Sequence, residues 1–498
     1  MGAKALFIGL DGLDDGKIET LMAAGDLPHF KALQASSKHA SIRNYPGMGA
    51  GVFWSSAACG VTPDYHGRYF HLQFDHRTYD VKPFEENKNF RTPALWTTLD
   101  REGRRIAVLD WHRGPFQPME NGFLLDNWLG HDSTSDTRSY PAPMAAKIIQ
   151  QYGGDPFAGG SWNRLLNSLE AHVDFIEQAC QRIETKAQLV CDQIAEGDWD
   201  LYAPCFSELH DVGHYVYHVM DTEHPLHDPE LRKAMGDPLR TCYLALDKAV
   251  GKMIAAAGPD AAIMMLAGPG MMRLVSANTA IEEIARRLDL GVGAPQNASE
   301  QAKQAYRSLI PEALRRRMAP FARLIRRNVA NNVFSHRRFF GIPHNDNSAC
   351  IRINVKGREA NGMVEPGAEY DAVVGEIRDG LKQIEDADTG IKIVENIVSV
   401  QHDYDGPNVD MLPDIFIEWN RSGDLKSIHR IRSPKIGEIE PPPSRRTGDH
   451  TVTGFFWARG TDGGIFAREG WRQPHEVTDV ICNAARRVTG ARRKSTAM

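Results

Sequence analysis

The segment Glu208-Leu209-His210-Asp211-Val212-Gly213-His214 places two imidazoles four residues apart. On a helix that spacing sets both on one face, where they can grip a single metal ion. His218, Asp221, His224, His227 and Asp228 follow within the next turns of chain. A pair at this spacing also arises on solvated helices, so alone it leaves metal binding and a plain polar face equally open. Two distant residues tip the balance. Asp11 closes an apolar run and precedes Gly12, a good position for a hard oxygen ligand. His450 follows Gly448-Asp449 near the far end and completes a three-imidazole set with His210 and His214. Three protein ligands with one open position is the catalytic rather than the structural pattern for zinc. The expected cofactor is one divalent transition metal, zinc first, with iron, manganese or cobalt as alternatives. Asp211 and Asp449 adjoin the ligands and could orient an imidazole or accept a proton. With Asp11 they make up the catalytic candidates. Cys59 precedes Gly60 in a turn, but its neighbours Ala57 and Ala58 indicate packing rather than nucleophilic chemistry.

The elements that must hold these residues can be read from hydrophobic runs. Ala3 to Leu10 reads as a strand closed by Asp11-Gly12, with a helical pattern from Lys17 to Gln34. Arg105 to Asp110 is another strand ending in an acid, and Leu201 to Phe206 leads as a strand into the histidine pair. Leu231 to Ala257 is helical by periodicity, and Ala261 to Leu266 is a buried strand. Strands return at Cys350 to Val355 and Ile415 to Trp419, and His450 sits in a turn. Strands whose carboxyl ends carry Asp, Gly or His predict an open α/β sheet with its site outside those ends. The division expected is 1–271 and 346–485 as the two parts of an α/β core. Between them 272–345 forms an Arg-rich helical insertion or cap, and 486–498 is a basic tail.

A chain of 498 residues with 42% hydrophobic residues can bury a deep core. A formal charge of -6 gives no long-range attraction to nucleic acid. The Arg-rich stretch Glu312 to Arg327 is therefore read as a lid or solvated helix facing an anionic substrate. Seven dispersed cysteines without a C-x-x-C pair argue against a disulfide framework and against thiolate zinc. No apolar run is long enough for a membrane span. The expectation is a cytoplasmic protein without nucleic-acid or membrane partners, with a homodimer left open.

Several segments carry a resemblance. They are Ile8-Gly9-Leu10-Asp11-Gly12-Leu13-Asp14, Gly25-Asp26-Leu27-Pro28, the run from Trp54 to Gly67, Glu208 to His218, Ile351 to Glu359, and Arg446-Thr447-Gly448-Asp449-His450. In these the chain resembles the alkaline phosphatase superfamily, in its type I phosphodiesterase and nucleotide pyrophosphatase-like branch. The resemblance implies a mostly parallel central sheet flanked by helices, with a helical insertion. It also implies two metal ions and a Thr, Ser or modified Cys nucleophile that forms a covalent intermediate. His210, His214 and His450 fall on the ligand positions of one ion, and Asp11 on those of the other. The remainder departs from the pattern. The nucleophile position falls on Ala50, within Gly47-Met48-Gly49-Ala50-Gly51, and an expected Asp-His pair falls on Gly268-Pro269.

A methyl group cannot attack, so phosphoenzyme chemistry is not expected. The leading expectation is an atypical single-metal enzyme acting on an anionic small molecule: a phosphoester, phosphodiester or sulfate ester. Arg352, Lys356, Arg358 and Arg446 are the expected anion-binding residues. The alternative is a non-catalytic, metal-containing binding or scaffold protein derived from a phosphodiesterase. There an ion clamped between residues 210 and 450 would stabilise the fold by closing a loop of roughly 240 residues.

Overall fold

The computed structural model describes residues 2–84, 92–130, 136–157, 166–293, 334, 336–345 and 347–487. The arginines expected between 312 and 327, and the tail beyond residue 487, lie outside these.

Along the chain, the strands that matter here are β1 (Ala5–Leu10), β2 (Lys38–Arg43), β3 (Ile106–Leu109), β4 (Gly122–Asp126), β5 (Arg138–Tyr140), β6 (Leu201–Phe206) and β7 (Ala262–Ala267). They continue as β8 (Met271–Arg273), β9 (Phe339–Ile342), β10 (Ser348–Ile353), β11 (Val394–Ser399), β12 (Ile415–Trp419), β13 (Gly448–His450) and β14 (Thr453–Arg459). The helices are α1 (Asp15–Ala23), α2 (Ala50–Cys59), α3 (Leu169–Glu196), α4 (Glu208–Met220), α5 (Pro238–Ala257), α6 (Ile281–Leu290), α7 (Ala368–Lys382) and α8 (Val477–Arg486).

Eight strands form the main sheet in the order β2-β14-β7-β1-β6-β3-β4-β5. Its centre, β7-β1-β6-β3-β4, is parallel, and β14, β2 and β5 join antiparallel at the edges. Every residue of β1, β6 and β7 is buried, as a parallel sheet covered on both faces requires. Side-chain alternation divides β1 between two cores. Leu6, Ile8 and Leu10 face the core that α1, α3, α4 and α5 cover, whereas Ala5 and Phe7 face the core beneath α2 and α8. The α/β architecture expected from the sequence is therefore present, with helices on both faces of a mixed, largely parallel sheet.

A second sheet, β9-β10-β12-β11, is antiparallel. Its one face packs with α6 and α7, through Ile284, Ile351, Ile377 and Ile417. The other face meets Tyr45, Met48 and Val52 beside α2, through Phe340 and Phe416. The described part of the segment expected as a cap thus contributes α6 and β9 to this second layer.

Three local expectations change. The helix read from Lys17 to Gln34 is two helices, because Gly25 takes φ 85° and Pro28 begins a new one, Pro28–Ala35. The helix read from Leu231 to Ala257 breaks in the same way at Gly236, φ 69°, before Pro238 opens α5. His450 lies in a strand rather than a turn: β13 pairs antiparallel with β8, Met271 opposite His450. Among the described residues, no helix is long and apolar enough to cross a membrane. All seven cysteines are free thiols.

Candidate metal centre

The centre forms where β1, β6 and β7 end. Asp11 follows β1, α4 starts directly after β6, and Gly268-Pro269-Gly270 leads from β7 into β8, which carries β13 and His450. Two close approaches make this possible. Gly12 has φ 78°, and a Cβ there would lie 2.5 Å from the backbone nitrogen of His210. A Cβ on Gly448 would lie 2.4 Å from the Gly213 carbonyl oxygen. Only glycine lets the Asp11 turn and β13 press against the backbone of α4.

His210, His214 and His450 are brought together, with one ligand atom from each lying within 4.8 Å of the others. They are only 4%, 1% and 2% exposed, so the cluster is sealed from bulk water. The His214 Nδ1–H donates to the Gly448 carbonyl at 2.8 Å, which leaves the Nε2 lone pair facing inward. That Nε2 is buried and has no hydrogen-bond partner among the described residues. His450 Nδ1 is held by the carbonyls of Pro269 at 3.0 Å and Gly270 at 3.2 Å, which again turns Nε2 toward the cluster. His210 Nδ1 lies 2.7 Å from that Nε2 and 2.9 Å from Asp11 Oδ2. Burial, then the charges of Arg446 and the neighbouring imidazoles, hold His214 well below its usual pKa. For His210 the causes are burial, His450, Arg446 and Arg113. Imidazoles such as His214 and His450, each with Nδ1 pinned to a backbone carbonyl and Nε2 turned inward, are what a divalent ion binds. The residues fit such an ion.

Asp11 is shared between roles. Its Oδ1 accepts from Trp54 Nε1 of α2 at 3.0 Å, while Oδ2 faces His210. Asp449 stands beside His214, 3.9 Å from its Nδ1, and its buried Oδ2 has no hydrogen-bond partner. Arg446 acts electrostatically on both His210 and His214. The remaining expected residues are elsewhere. Asp211 turns away from its histidine neighbours and accepts from Arg182 at 3.0 Å. Arg352 pairs with Glu359, and Arg358 with Asp414, both inside the second layer. Lys356 pairs with Glu365 at the surface.

Neither hydroxyl of α2 faces the centre. Ser55 Oγ donates to the Arg113 carbonyl at 2.9 Å. Ser56 meets His66 Nε2 at 2.9 Å, but His66 Nδ1 accepts from the Arg68 amide, so its proton lies on Nε2 and the ring donates to the serine. That arrangement cannot activate Ser56 as a nucleophile.

Several contributors were missed in the sequence. His112 lies 3.8 Å from Asp11 Oδ2 and packs against His210 with ring centroids 5.6 Å apart. Its signal was a polar group, Asp110-Trp111-His112-Arg113, at the end of β3. Beneath α4 lies a sealed charge network. Lys186 Nζ donates to the carbonyls of Leu129 and Cys205, both at 2.9 Å, and stands 3.3 Å from Asp110 and from Glu208. Arg182 joins Asp211, Asp155 and the Gly130 carbonyl. Both cations come from α3, and both side chains are fully buried.

Residues 5–425 match the family described as Type I phosphodiesterase / nucleotide pyrophosphatase. The chain belongs to this family. No curated protein matches it. Among solved structures, the phosphonoacetate hydrolase of Sinorhizobium meliloti 1021, bound to phosphonoacetate, is 13% identical with a TM-score of 0.50; the match covers 97% of this chain and 96% of that one. Murine ectonucleotide pyrophosphatase / phosphodiesterase 5 is 12% identical with a TM-score of 0.49, covering 97% and 95%. The likeness to the phosphonoacetate hydrolase is one of fold. Within this phosphodiesterase family, the present member has three histidines clustered at the sheet's carboxyl edge and no hydroxyl at residue 50.

Proposed function

We propose that the chain is an atypical metal-dependent hydrolase of an anionic small molecule, a phosphodiester, phosphoester or sulfate ester, working without a covalent Ser or Thr intermediate. The observation that carries this reading is the sealed cluster of His210, His214 and His450, with the inward lone pair of His214 lacking any partner, at the edge of a phosphodiesterase-family sheet. These three residues would hold one ion, zinc first. When bound, such an ion supplies Lewis acidity toward an ester oxygen and acidifies water. Asp11 orients His210, and Asp449 stands beside His214 to hold a proton. Arg446 and Arg113 bring positive charge to the imidazoles and would balance an anionic group. The seven free thiols support a reducing, cytoplasmic setting.

The depth of the cluster favours a second reading, an ion kept for stability in a non-catalytic binding protein. One experiment separates the two. The purified chain is incubated with activated phosphate mono- and diesters, sulfates and carboxylate esters, with and without chelator, and its intact mass is followed. Metal-dependent turnover without an adduct is expected. A stable phosphoryl adduct would show a nucleophile elsewhere, and silence across the panel would leave the stability reading in place.

A further inference from the structure

Arg421, two residues beyond the end of β12 in the second layer, reaches across to the strand that carries His450. Its Nη1 donates to the His450 carbonyl at 3.1 Å and its Nη2 to the Asn347 carbonyl at 3.0 Å. Nη1 also meets the sulfur of Met272 at 3.9 Å, and Met272 is the β8 residue opposite Asp449. Asn347 Nδ2 donates to the same His450 carbonyl at 2.9 Å. The guanidinium and the loop between β9 and β10 thus grip the backbone of a metal-centre residue together.

Arg421 is placed unlike its neighbours. Arg337, Arg352 and Arg358 of the same layer each meet a carboxylate, at 3.0, 2.6 and 2.8 Å. The bonds of Arg421 end on neutral acceptors, and among the described residues no carboxylate pairs with it. Burial pulls its pKa below the usual guanidinium value, while the charges of Asp449, Glu418 and Glu395 oppose that from farther off. Two of these acids are already engaged. Glu418 accepts from the Gly47 amide at 3.0 Å, and Asp449 Oδ1 from the His450 amide at 2.7 Å. A guanidinium keeps its charge in proteins, and a half-buried charge without a partner is a cost that a bound anion removes. The same loop also reaches the first turn of α2, where His344 Nε2 donates to the Gly47 carbonyl at 2.6 Å. A Cβ on Gly49 would lie 1.4 Å from Asn345 Nδ2, so the Asn345 amide fills the space of a side chain next to Ala50. That half-buried amide has no hydrogen-bond partner among the described residues.

We propose that Arg421, with the Asn345 amide as a second donor, binds an oxyanion, a phosphate or sulfate group, beside the His210 centre. The planar fork of arginine suits such oxygens, and charge-assisted bonds to them are the strong ones. This rests on the centre serving an anionic ester, as proposed above. Recognition of the anionic group then falls to the second layer, whereas the three histidines belong to the main sheet and the elements at its edge. Arg352 and Arg358, expected from the sequence to bind the anion, are spent on Glu359 and Asp414 within that layer.

The test is calorimetric titration of the zinc-loaded full chain with inorganic phosphate and, separately, with sulfate. Zinc content and the urea midpoint are followed alongside. The unmodified chain is expected to bind at least one of the two anions. Arg421→Gln keeps a donor for the His450 carbonyl but no charge, and should weaken binding about tenfold or more while zinc stays bound. Arg421→Lys keeps the charge and should retain most of the affinity. Unchanged affinity in Arg421→Gln overturns the assignment. So does an equal loss in Arg421→Lys and Arg421→Gln, which would make Arg421 a positioning residue for His450. Either result leaves the hydrolase reading standing, because turnover of the ester panel is measured separately. No binding of either anion by the unmodified chain overturns the site, and the ester panel then decides the hydrolase reading by itself. If Arg421→Gln loses zinc or fails to fold, Asn345→Asp carries the test. Its added negative charge should weaken phosphate or sulfate binding, and unchanged affinity would overturn the site.

Discussion

His214 has one nitrogen spent on the Gly448 carbonyl and the other facing the cluster, so its contribution cannot be taken over by a neighbour. His214→Ala should abolish tight metal binding, measured by elemental analysis after exhaustive dialysis, where the unmodified chain retains one equivalent. Ala50→Ser should leave that equivalent at one, because a hydroxyl at the start of α2 restores neither partner missing at Gly268-Pro269. Two tightly held equivalents in the unmodified chain would refute the single-ion centre. Gly12 gives a different residue-scale test. An alanine there adopts a left-handed backbone at about 1–2 kcal/mol and also meets the His210 backbone. Gly12→Ala should lower the urea midpoint and weaken metal binding together. If it leaves both unchanged, the close approach of the Asp11 turn to α4 is not needed. At this scale the sequence was informative where a residue type announces its chemistry locally: the i, i+4 histidines, and His450 after Gly448-Asp449, which the fold brings together. It was silent on which nitrogen points where, because that depends on the carbonyls of Gly448, Pro269 and Gly270, far away in the chain.

At the scale of elements, α4 is held from below by α3. Arg182 and Lys186 meet carboxylates of α4 with both cationic side chains fully buried, so removing one partner strands the other. Burial pushes the Asp211 carboxyl well above its usual range, and the Arg182 charge offsets only part of that. Arg182→Ala should cost about 3–5 kcal/mol, read from denaturant midpoints. The double variant Arg182→Met with Asp211→Leu should recover much of that loss, since a buried pair replaced by apolar groups is often neutral. No recovery would mean that the pair does more than balance charge. The sequence concealed this network. Arg182 and Lys186 occupy core-facing helical positions that would ordinarily be apolar, and nothing nearby names their partners. The strands β6 and β12, by contrast, were legible residue for residue because their buried apolar runs stop at polar residues, Ser207-Glu208 and Asn420-Arg421. The breaks at Gly25 and Gly236 were missed because periodicity continued across them.

Across the whole molecule, buried neutral histidines make acid the weak direction. Burial, with the Arg68 charge, lowers His66 to about 3, and burial lowers His344 to about 4 despite its bond to the Gly47 carbonyl. Both lie below the unfolded value near 6.5, so between these limits the unfolded chain binds more protons than the folded one. The stability they confer is fully present above about 6.5 and declines as pH falls toward 4, by about 1.4 kcal/mol per pH unit for each histidine. Urea unfolding from pH 7 to 4 should show this decline, and a flat profile would mean that these rings protonate without unfolding. The sheet order has a temporal side as well. Within the main sheet β2, at residues 38–43, has β14 as its neighbour, and β14 spans 453–459. On a ribosome the early strand must therefore wait, with its ladder groups unmatched, until the more than 400 residues between it and β14 have emerged. His450 arrives in the same late interval. Ion loading and sealing of that sheet edge are thus events of the same moment, and a metal-loaded chain is one whose synthesis has already passed His450.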